Sequence, residues 1–107
     1  MTIHHINDGI DSGGLILQGR PELEINDDTH TMACKNTILA VELMIKTIKE
    51  FIINGIVPNV KQDLSNGKQY FFKDFTVDTV NTLNKLLSED IISDYVKNPL
   101  KVDIVEW

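Results

Sequence analysis

The stretch NTILAVELMIKTIKEFIING, residues 36–55, decides the fold because it has the periodicity of one long amphipathic helix. Asn36 is a favoured N-cap residue, and Gly55 stands where a helix commonly ends in a left-handed residue. We predict that the apolar side of this helix is buried, either under a sheet or against a second subunit. Its side chains recur at spacings of three and four residues: Ile38, Val41, Met44, Ile45, Ile48, Phe51 and Ile52.

A second helix is predicted from Thr76 through the sequence VDTVNTLNKLL, whose apolar residues keep the same helical spacing. Ser88-Glu89-Asp90 resembles a new N-cap with acidic residues in the first turn, so the region is either one bent helix or two short ones. Asn98-Pro99 ends it, because the residue before a proline avoids helical backbone angles.

The remaining apolar runs predict five strands. The strands are Leu15–Gln18 with 22–25, then 57–64 with 68–72 around the turn Ser65-Asn66-Gly67, then 100–107. The order β-β-α-β-β-α-β predicts an α+β fold in one domain, residues 1–107, with two principal helices packed on a small antiparallel or mixed sheet. We expect the strand before Trp107 to hold that side chain against the fold.

Composition excludes several classes of protein. A chain of 107 residues with 42% apolar and 24% charged residues has enough apolar side chains for one core, unlike a disordered protein. The single cysteine, Cys34, cannot form an intrachain disulfide, and the N-terminus lacks the basic and apolar regions of a signal peptide. Charged residues interrupt the most apolar run, so no membrane span is predicted. We expect a cytoplasmic protein.

The net charge of −6 is concentrated toward the two ends of the chain. Direct binding to nucleic acid is disfavoured, because that affinity comes from Lys and Arg on phosphates. An acidic surface instead suits a larger basic protein. The residues predicted to bind such a partner are Glu22, Glu24, Asp27 and Asp28, followed by Glu89, Asp90 and Asp94.

Asp11-Ser12-Gly13-Gly14 resembles the tetrapeptide around the nucleophilic serine of trypsin-like proteases. The resemblance covers four residues and implies a nucleophilic role for Ser12. Ile10 stands where that motif has glycine and Leu15 where it has proline, and those proteases are much longer chains with a double barrel. A nucleophilic serine also needs a positioned base and an oxyanion hole. We therefore interpret the stretch as a turn that enters a strand, and we predict no catalytic residue.

Nitrogen and thiolate ligands for a metal are few. His30 and Cys34 have the i,i+4 spacing that places two side chains on one face of a helical turn. A third ligand would come from His4 or His5, with Asp27 or Asp28 as an oxygen donor. Structural zinc sites usually show paired ligand motifs, which this chain lacks. We predict no metal and no cofactor.

The charges and the spare apolar helix surface favour a small acidic interaction module rather than an enzyme. The first hypothesis is a protein that binds and inhibits a larger basic protein acting on nucleic acid, such as an inhibitor carried by a phage or another mobile element. An immunity protein that neutralises a nuclease toxin is one alternative. The other is a small-ligand-binding protein or enzyme with a site at a dimer interface. The spare apolar area predicts a homodimer.

Overall fold

The computed structural model describes residues 1–65 and 67–107 and places one long helix beside a small hairpin. The strands β1 (Thr2–His4) and β2 (Leu15–Gln18) pair antiparallel, with Ile3 opposite Leu17, and a bulge after Ile3 places His4 opposite Leu15. The amine of Met1 extends this pairing by donating to the carbonyl oxygen of Gly19 at 2.7 Å. In chain order the elements are β1 (Thr2–His4), β2 (Leu15–Gln18), α1 (Thr29–Asn54), a 3₁₀ turn (Phe72–Asp74), α2 (Val77–Ser88) and α3 (Ile91–Lys97).

The predicted order β-β-α-β-β-α-β is wrong, since the described residues contain three α-helices and one two-stranded sheet. The strand partner of β2 is Thr2–His4, which the sequence analysis left unassigned. Residues 57–64 contribute one isolated bridge, between Val60 and Leu15, and residues 68–71 form no strand. Asn66, at the centre of the predicted hairpin turn, lies outside the described residues.

Side-chain hydrogen bonds replace two of the predicted strands. The carboxylate of Asp27 accepts a hydrogen bond from the backbone N–H of Glu24 at 2.7 Å, which folds residues 24–27 into a turn. Residues 100–107 lie beside β2, where the carbonyl of Val105 accepts from the N–H of Gln18 at 2.7 Å. The N–H of Val105 donates to the side-chain oxygen of Gln18 rather than to a backbone carbonyl. A backbone ladder therefore does not form.

The helix ends follow capping chemistry. α1 begins at Thr29 rather than after Asn36, because Asp28 and Thr31 form a capping box in which each side chain accepts from the other residue's N–H at 2.8 Å. The predicted end is confirmed, since Gly55 has a left-handed φ of 72°. The second region is two helices, α2 and α3, with Thr76 as the N-cap of the first and Asn98 as the C-cap of the second.

The face of α1 that packs on the hairpin is not the predicted one. The buried or half-buried side carries Leu39, Leu43 and Thr47, and the chain passes so close that a Cβ on Gly19 would lie 3.2 Å from the two leucines. The predicted face lies on roughly the opposite side of the helix. We call it the α1 stripe: Ile38, Val41, Met44, Ile45, Ile48, Phe51 and Ile52. Its side chains are between 44% and 75% exposed, so its predicted burial under the protein's own sheet is wrong, and burial against a second subunit stays a prediction.

The protein has an open shape with a small core. Among the described residues, the buried apolar side chains are Ile16, Leu17 and Ile92. The accessible surface is 8599 Å², whereas a compact protein of 12.1 kDa exposes about 6,000 Å². The radius of gyration is 16.2 Å, against about 13 Å for a compact chain of this length. Within residues 1–65 and 67–107, none of the helices combines the length and apolarity needed to cross a bilayer.

Trp107 joins the C-terminal segment to both the hairpin and α1, which confirms the expected docking. Its indole N–H donates to the carbonyl oxygen of Ile16 at 2.6 Å. The ammonium group of Lys46 lies 5.0 Å from the centre of the ring and also donates to the Trp107 carbonyl. The last residues are thereby held without a backbone ladder.

Leu17→Ala tests whether β2 is the centre of this fold. Leu17 is 1% exposed, so the substitution should lower the free energy of unfolding by about 2–5 kcal/mol. Urea unfolding followed by circular dichroism measures the loss. Ile6→Ala is the control, because Ile6 is 96% exposed and should change stability by no more than about 0.5 kcal/mol. Equal effects of the two substitutions would contradict this assignment of the core.

Candidate functional site

The loop of residues 7–14, which joins β1 to β2, is closed by two glycines. The N–H of His5 donates to the carbonyl of Gly14 at 3.0 Å. A Cβ on Gly13 would lie 1.7 Å from the carbonyl oxygen of His5, and a Cβ on Gly14 would lie 2.4 Å from the side-chain oxygen of Asn59. No side chain fits at either position without a shift of its neighbours. The turn predicted before Leu15–Gln18 is present, and its two glycines allow the chain to pass close to His5 and Asn59.

Ser12 is engaged within this loop. Its hydroxyl donates to the side-chain oxygen of Asn7 at 2.9 Å, and the same oxygen accepts from the N–H of Gly9 at 3.1 Å. These bonds tie the loop to itself in the manner of an Asx turn. A nucleophilic serine would instead share a hydrogen bond with a base. The resemblance to trypsin-like proteases therefore does not extend to the geometry of the described residues.

Asp11 in the loop lies beside His4 at the end of β1. The Asp11 carboxylate lies 3.5 Å from Nε2 of His4, and Nδ1 of His4 lies 2.9 Å from the carbonyl oxygen of His5. A protonated imidazole donates to both partners. The side chain of Asp11 is 85% exposed, whereas that of His4 is 27% exposed. A ligand can therefore reach the carboxylate while the imidazole stays partly shielded.

The backbone of Asp11 is held in an uncommon conformation. Its φ of 49° lies in the left-handed region, which aspartate tolerates better than most residues other than glycine. Gln62 fixes this conformation from outside the loop, because its amide nitrogen donates to the carbonyls of Asp11 at 2.8 Å and Gly13 at 2.6 Å. Residues in such conformations are often found at functional sites. Gln62 thus holds the backbone of the loop in the conformation in which the Asp11 carboxylate is exposed.

A cavity of about 520 Å³ opens beside this carboxylate. Asp11 and Ser12 form part of its lining, together with Lys68 and Tyr70 from the chain after α1. The ammonium group of Lys68 lies 4.9 Å from the centre of the Tyr70 ring. A cavity with an anionic and a cationic side chain suits a polar ligand. We take this cavity and the Asp11–His4 pair as the candidate functional site.

The candidate metal ligands are not brought together. Sγ of Cys34 lies 3.7 Å from Nε2 of His30, and both residues are exposed on the first turns of α1. In the part of the chain that the structure describes, no three His, Cys, Asp or Glu side chains are placed to hold a metal. His4 is engaged with Asp11 instead. His30 and Cys34 therefore lie close to each other, but among the described residues no third candidate ligand lies beside them.

The first predicted acidic cluster is largely engaged in local structure. The Asp27 carboxylate, 5% exposed, bonds the ammonium group of Lys35 at 2.7 Å, and Glu24 lies 3.8 Å from the same ammonium. The hydrogen bond from Lys35, followed by that from the Glu24 N–H, lowers the pKa of Asp27. The backbone N–H of Thr31 is the main cause that lowers the pKa of Asp28. These two carboxylates hold the start of α1.

One residue of the second predicted acidic cluster, Asp90, lies near the first cluster. Asp90 lines a cavity of about 230 Å³ together with Asp27 and Asp28. Glu89 lies 3.8 Å from Lys85, and Asp94 is exposed on α3. Glu22 borders a different cavity of about 370 Å³, which also contains Glu24 and Lys35. The binding of a basic partner by these residues stays a prediction.

The sequence does not indicate Gln62 as a site residue, and it indicates His4 only as a candidate metal ligand and not as the partner of Asp11. The sequence MTIHHIND has too short an apolar pattern to indicate a strand, so it did not show that His4 lies opposite β2. Gln62 lies in a segment predicted as a strand, and only its contact across 51 residues of chain reveals its role. A polar residue within an apolar run was the one available signal, and it is a weak one.

Comparison with known proteins gives one partial similarity. The chain is 43% identical over 67 residues to the methionyl-tRNA formyltransferase of Caldicellulosiruptor saccharolyticus. The match covers 63% of this chain but 21% of the relative, so the chain spans about a fifth of the length of that protein. The chain matches no protein-family model, and no solved structure matches it.

Asp27→Asn tests the ion pair with Lys35. The lowered pKa of Asp27 contributes stability that is fully present above the unfolded pKa near 3.8 and is lost as pH falls through the lower folded value. The variant should be less stable near neutral pH, and its stability should fall less between about pH 5 and about pH 2. Urea unfolding at several pH values measures both effects. With Asp8→Asn as the control, superimposable pH profiles for wild type and Asp27→Asn would refute the assignment.

Proposed function

We propose that this chain forms part of a formyl-transfer protein related to methionyl-tRNA formyltransferase. The observation that carries this proposal is the 43% identity over 67 residues to the Caldicellulosiruptor saccharolyticus protein. Because the match covers about a fifth of that relative, the chain's role is proposed as a contribution to a site that further polypeptide completes. The open shape supports such a contribution, since much of its apolar surface is left for another layer to cover.

The matched part includes structural elements near the candidate site. Any 67 consecutive residues of a 107-residue chain contain residues 41–67, so the match includes the second half of α1. It also includes Val60, which bridges to Leu15, and Gln62, which holds the backbone of Asp11. The similarity therefore bears on the support of the 7–14 loop.

Formyl transfer gives the Asp11–His4 pair a chemical role in this proposal. As the new carbon–nitrogen bond forms between the formyl carbon and the acceptor amine, the bond between the formyl carbon and its donor breaks. The acceptor nitrogen loses a proton, and the departing donor takes one up. A carboxylate paired with an imidazole can accept that proton if it lies within hydrogen-bond reach of the amine. The Asp11 carboxylate borders the cavity of about 520 Å³, and the nearby His4 can stabilise its charge. This role departs from the sequence-based expectation of a protein without catalytic residues, which no observation tests.

A chimera tests the proposal. In it, the 107 residues of this chain replace the matched stretch of the Caldicellulosiruptor saccharolyticus enzyme together with its flanking residues. We expect the chimera to formylate methionyl-tRNA, since a segment at this identity should keep its structural role. Asp11→Asn should then lower kcat by about 100-fold or more, the usual size of a lost proton-transfer group. Formylation is measured by acid-gel separation of the charged tRNA.

Two controls make the chimera interpretable. Asp8→Asn removes an acidic side chain from the same loop and should leave kcat unchanged. Circular dichroism and thermal unfolding establish that each protein is folded. A folded chimera without formylation would refute the proposed function. A functional chimera in which Asp11→Asn behaves like Asp8→Asn would remove Asp11 from the mechanism.

The acidic interaction module is the second candidate function. The observation that favours it is the convergence of Asp27, Asp28 and Asp90 on one small cavity, although they come from distant parts of the sequence. Three carboxylates in one place attract a basic protein such as a nucleic-acid-acting enzyme or a nuclease toxin. Asp90 is the N-cap residue of α3, but its side chain makes no capping hydrogen bond, unlike the side chain of Asp28, and no ion pair like that of Asp27 is found for it among the described residues.

Charge reversal tests this second candidate without disturbing α1. Proteins that bind the chain in a native pull-down are identified by mass spectrometry, and association is measured across a salt series. Asp90→Lys should slow association and weaken its salt dependence, because it inverts the local field. Asp103→Lys, the same change elsewhere on the chain, is the control. Association that is independent of both salt and Asp90→Lys would exclude an acidic docking surface here.

A further inference from the structure

The α1 stripe is an extended apolar surface without a partner in the described structure. Its seven side chains are 44–75% exposed along the longest helix of the protein. The stripe is apolar across its width, and Lys49 lies at its edge, so a partner that covers it desolvates a charge only at that edge. The opposite side of α1 already packs on the hairpin. The hairpin therefore covers one side of α1, and in the described structure nothing covers the side that carries the stripe.

The size of the exposed surface indicates what kind of layer is missing. The accessible surface of the whole chain, of which the α1 stripe is one part, exceeds that of a compact protein by about 2,600 Å², and each partner in a standard interface buries about 800 Å². The stripe is also wider than the two positions per heptad of a coiled-coil seam. A single helix from a second copy would cover part of it. A broad layer from a larger polypeptide fits better.

We infer that the α1 stripe docks on an apolar layer supplied by the part of a formyltransferase chain that the matched stretch does not include. This inference rests on the proposed function. The match contains residues 41–67, and hence Val41, Ile48 and Ile52 of the stripe. The relative is almost five times as long as the matched stretch, which leaves ample chain for a second layer. The proposed partner of the stripe is thus the remainder of the formyltransferase polypeptide.

Thiol labelling tests this docking. Cysteine replaces Ile48 on the stripe or Ile53 off the stripe, in a Cys34→Ser background of the full chain. Ile53 is a matched control, because it is an isoleucine of the same helix and is 76% exposed, compared with 49% for Ile48. Labelling is followed by mass spectrometry with the chain alone and with the Caldicellulosiruptor saccharolyticus enzyme lacking its matched stretch.

We expect the truncated enzyme to slow labelling of Ile48→Cys by about tenfold or more and to leave Ile53→Cys unchanged. Ile48→Asp should weaken the complex by more than about 100-fold, because it places a charge in an apolar interface, while Ile53→Asp should not. Since the truncated enzyme can fail to fold, the same two cysteines are also labelled in the chimera. Protection of Ile48→Cys in either setting supports the docking.

Two results would overturn it. Equal labelling of both cysteines in the complex and in the folded chimera would leave the stripe without a partner. Protection of Ile48→Cys in the chain alone, with a dimer mass by light scattering, would assign the stripe to a second copy. Formylation by the chimera is a separate measurement. If the chimera formylates methionyl-tRNA but Ile48→Cys is not protected from labelling, only the docking is refuted. If Ile48→Cys is protected but the chimera does not formylate, only the proposed function is refuted.

Discussion

The attachment of β2 to its surroundings is the constraint on which the rest of the structure depends. β2 pairs with β1 on one edge, while the backbone of Gln18 and the carbonyl of Ile16 hold the C-terminal segment. The same strand packs on α1, and Leu15 bridges to Val60. Four distant parts of the chain thus meet at four residues. Because the core is small, a cavity at Leu17 would affect all of them together.

α1 has two apolar sides, and the hairpin covers the one with fewer apolar residues. Packing the small side chain of Thr47 and the half-buried leucines against β2 allows the hairpin to approach closely, as the space around Gly19 shows. The stripe on the other side would be costly to leave in water, since apolar surface costs roughly 25 cal/mol per Å². The similarity to part of a longer enzyme and the exposure of the stripe are separate observations, and both are consistent with a second layer.

The acidic residues have different uses in the structure, and sequence could identify only some of them. Asp28 begins α1 and Asp27 binds Lys35, although both resemble binding residues when charge alone is counted. Asp11 lies exposed beside a cavity, although its motif resembles that of a serine nucleophile. The ends of α1 and α2 at Gly55 and Thr76 were predictable, because caps depend on neighbouring residues. The site was not predictable, because Gln62 reaches it across 51 residues of chain, and because the approach of His4 to Asp11 depends on how β1 pairs with β2.

The sequence by itself determined where the helical regions lie and where α1 ends, since periodicity and caps are properties of residues a few positions apart, although it placed the start of α1 after Asn36 rather than at Thr29. It also determined that a turn precedes β2, whereas the need for Gly13 and Gly14 follows from the folded chain, where a Cβ would meet the His5 carbonyl oxygen and the Asn59 side chain. Only the tertiary structure decided which face of α1 is covered, which segments pair as strands, and where Trp107 lies. The physical reason is that strand pairing and face selection depend on partners distant in sequence. A periodic pattern shows that a face is apolar without showing what covers it.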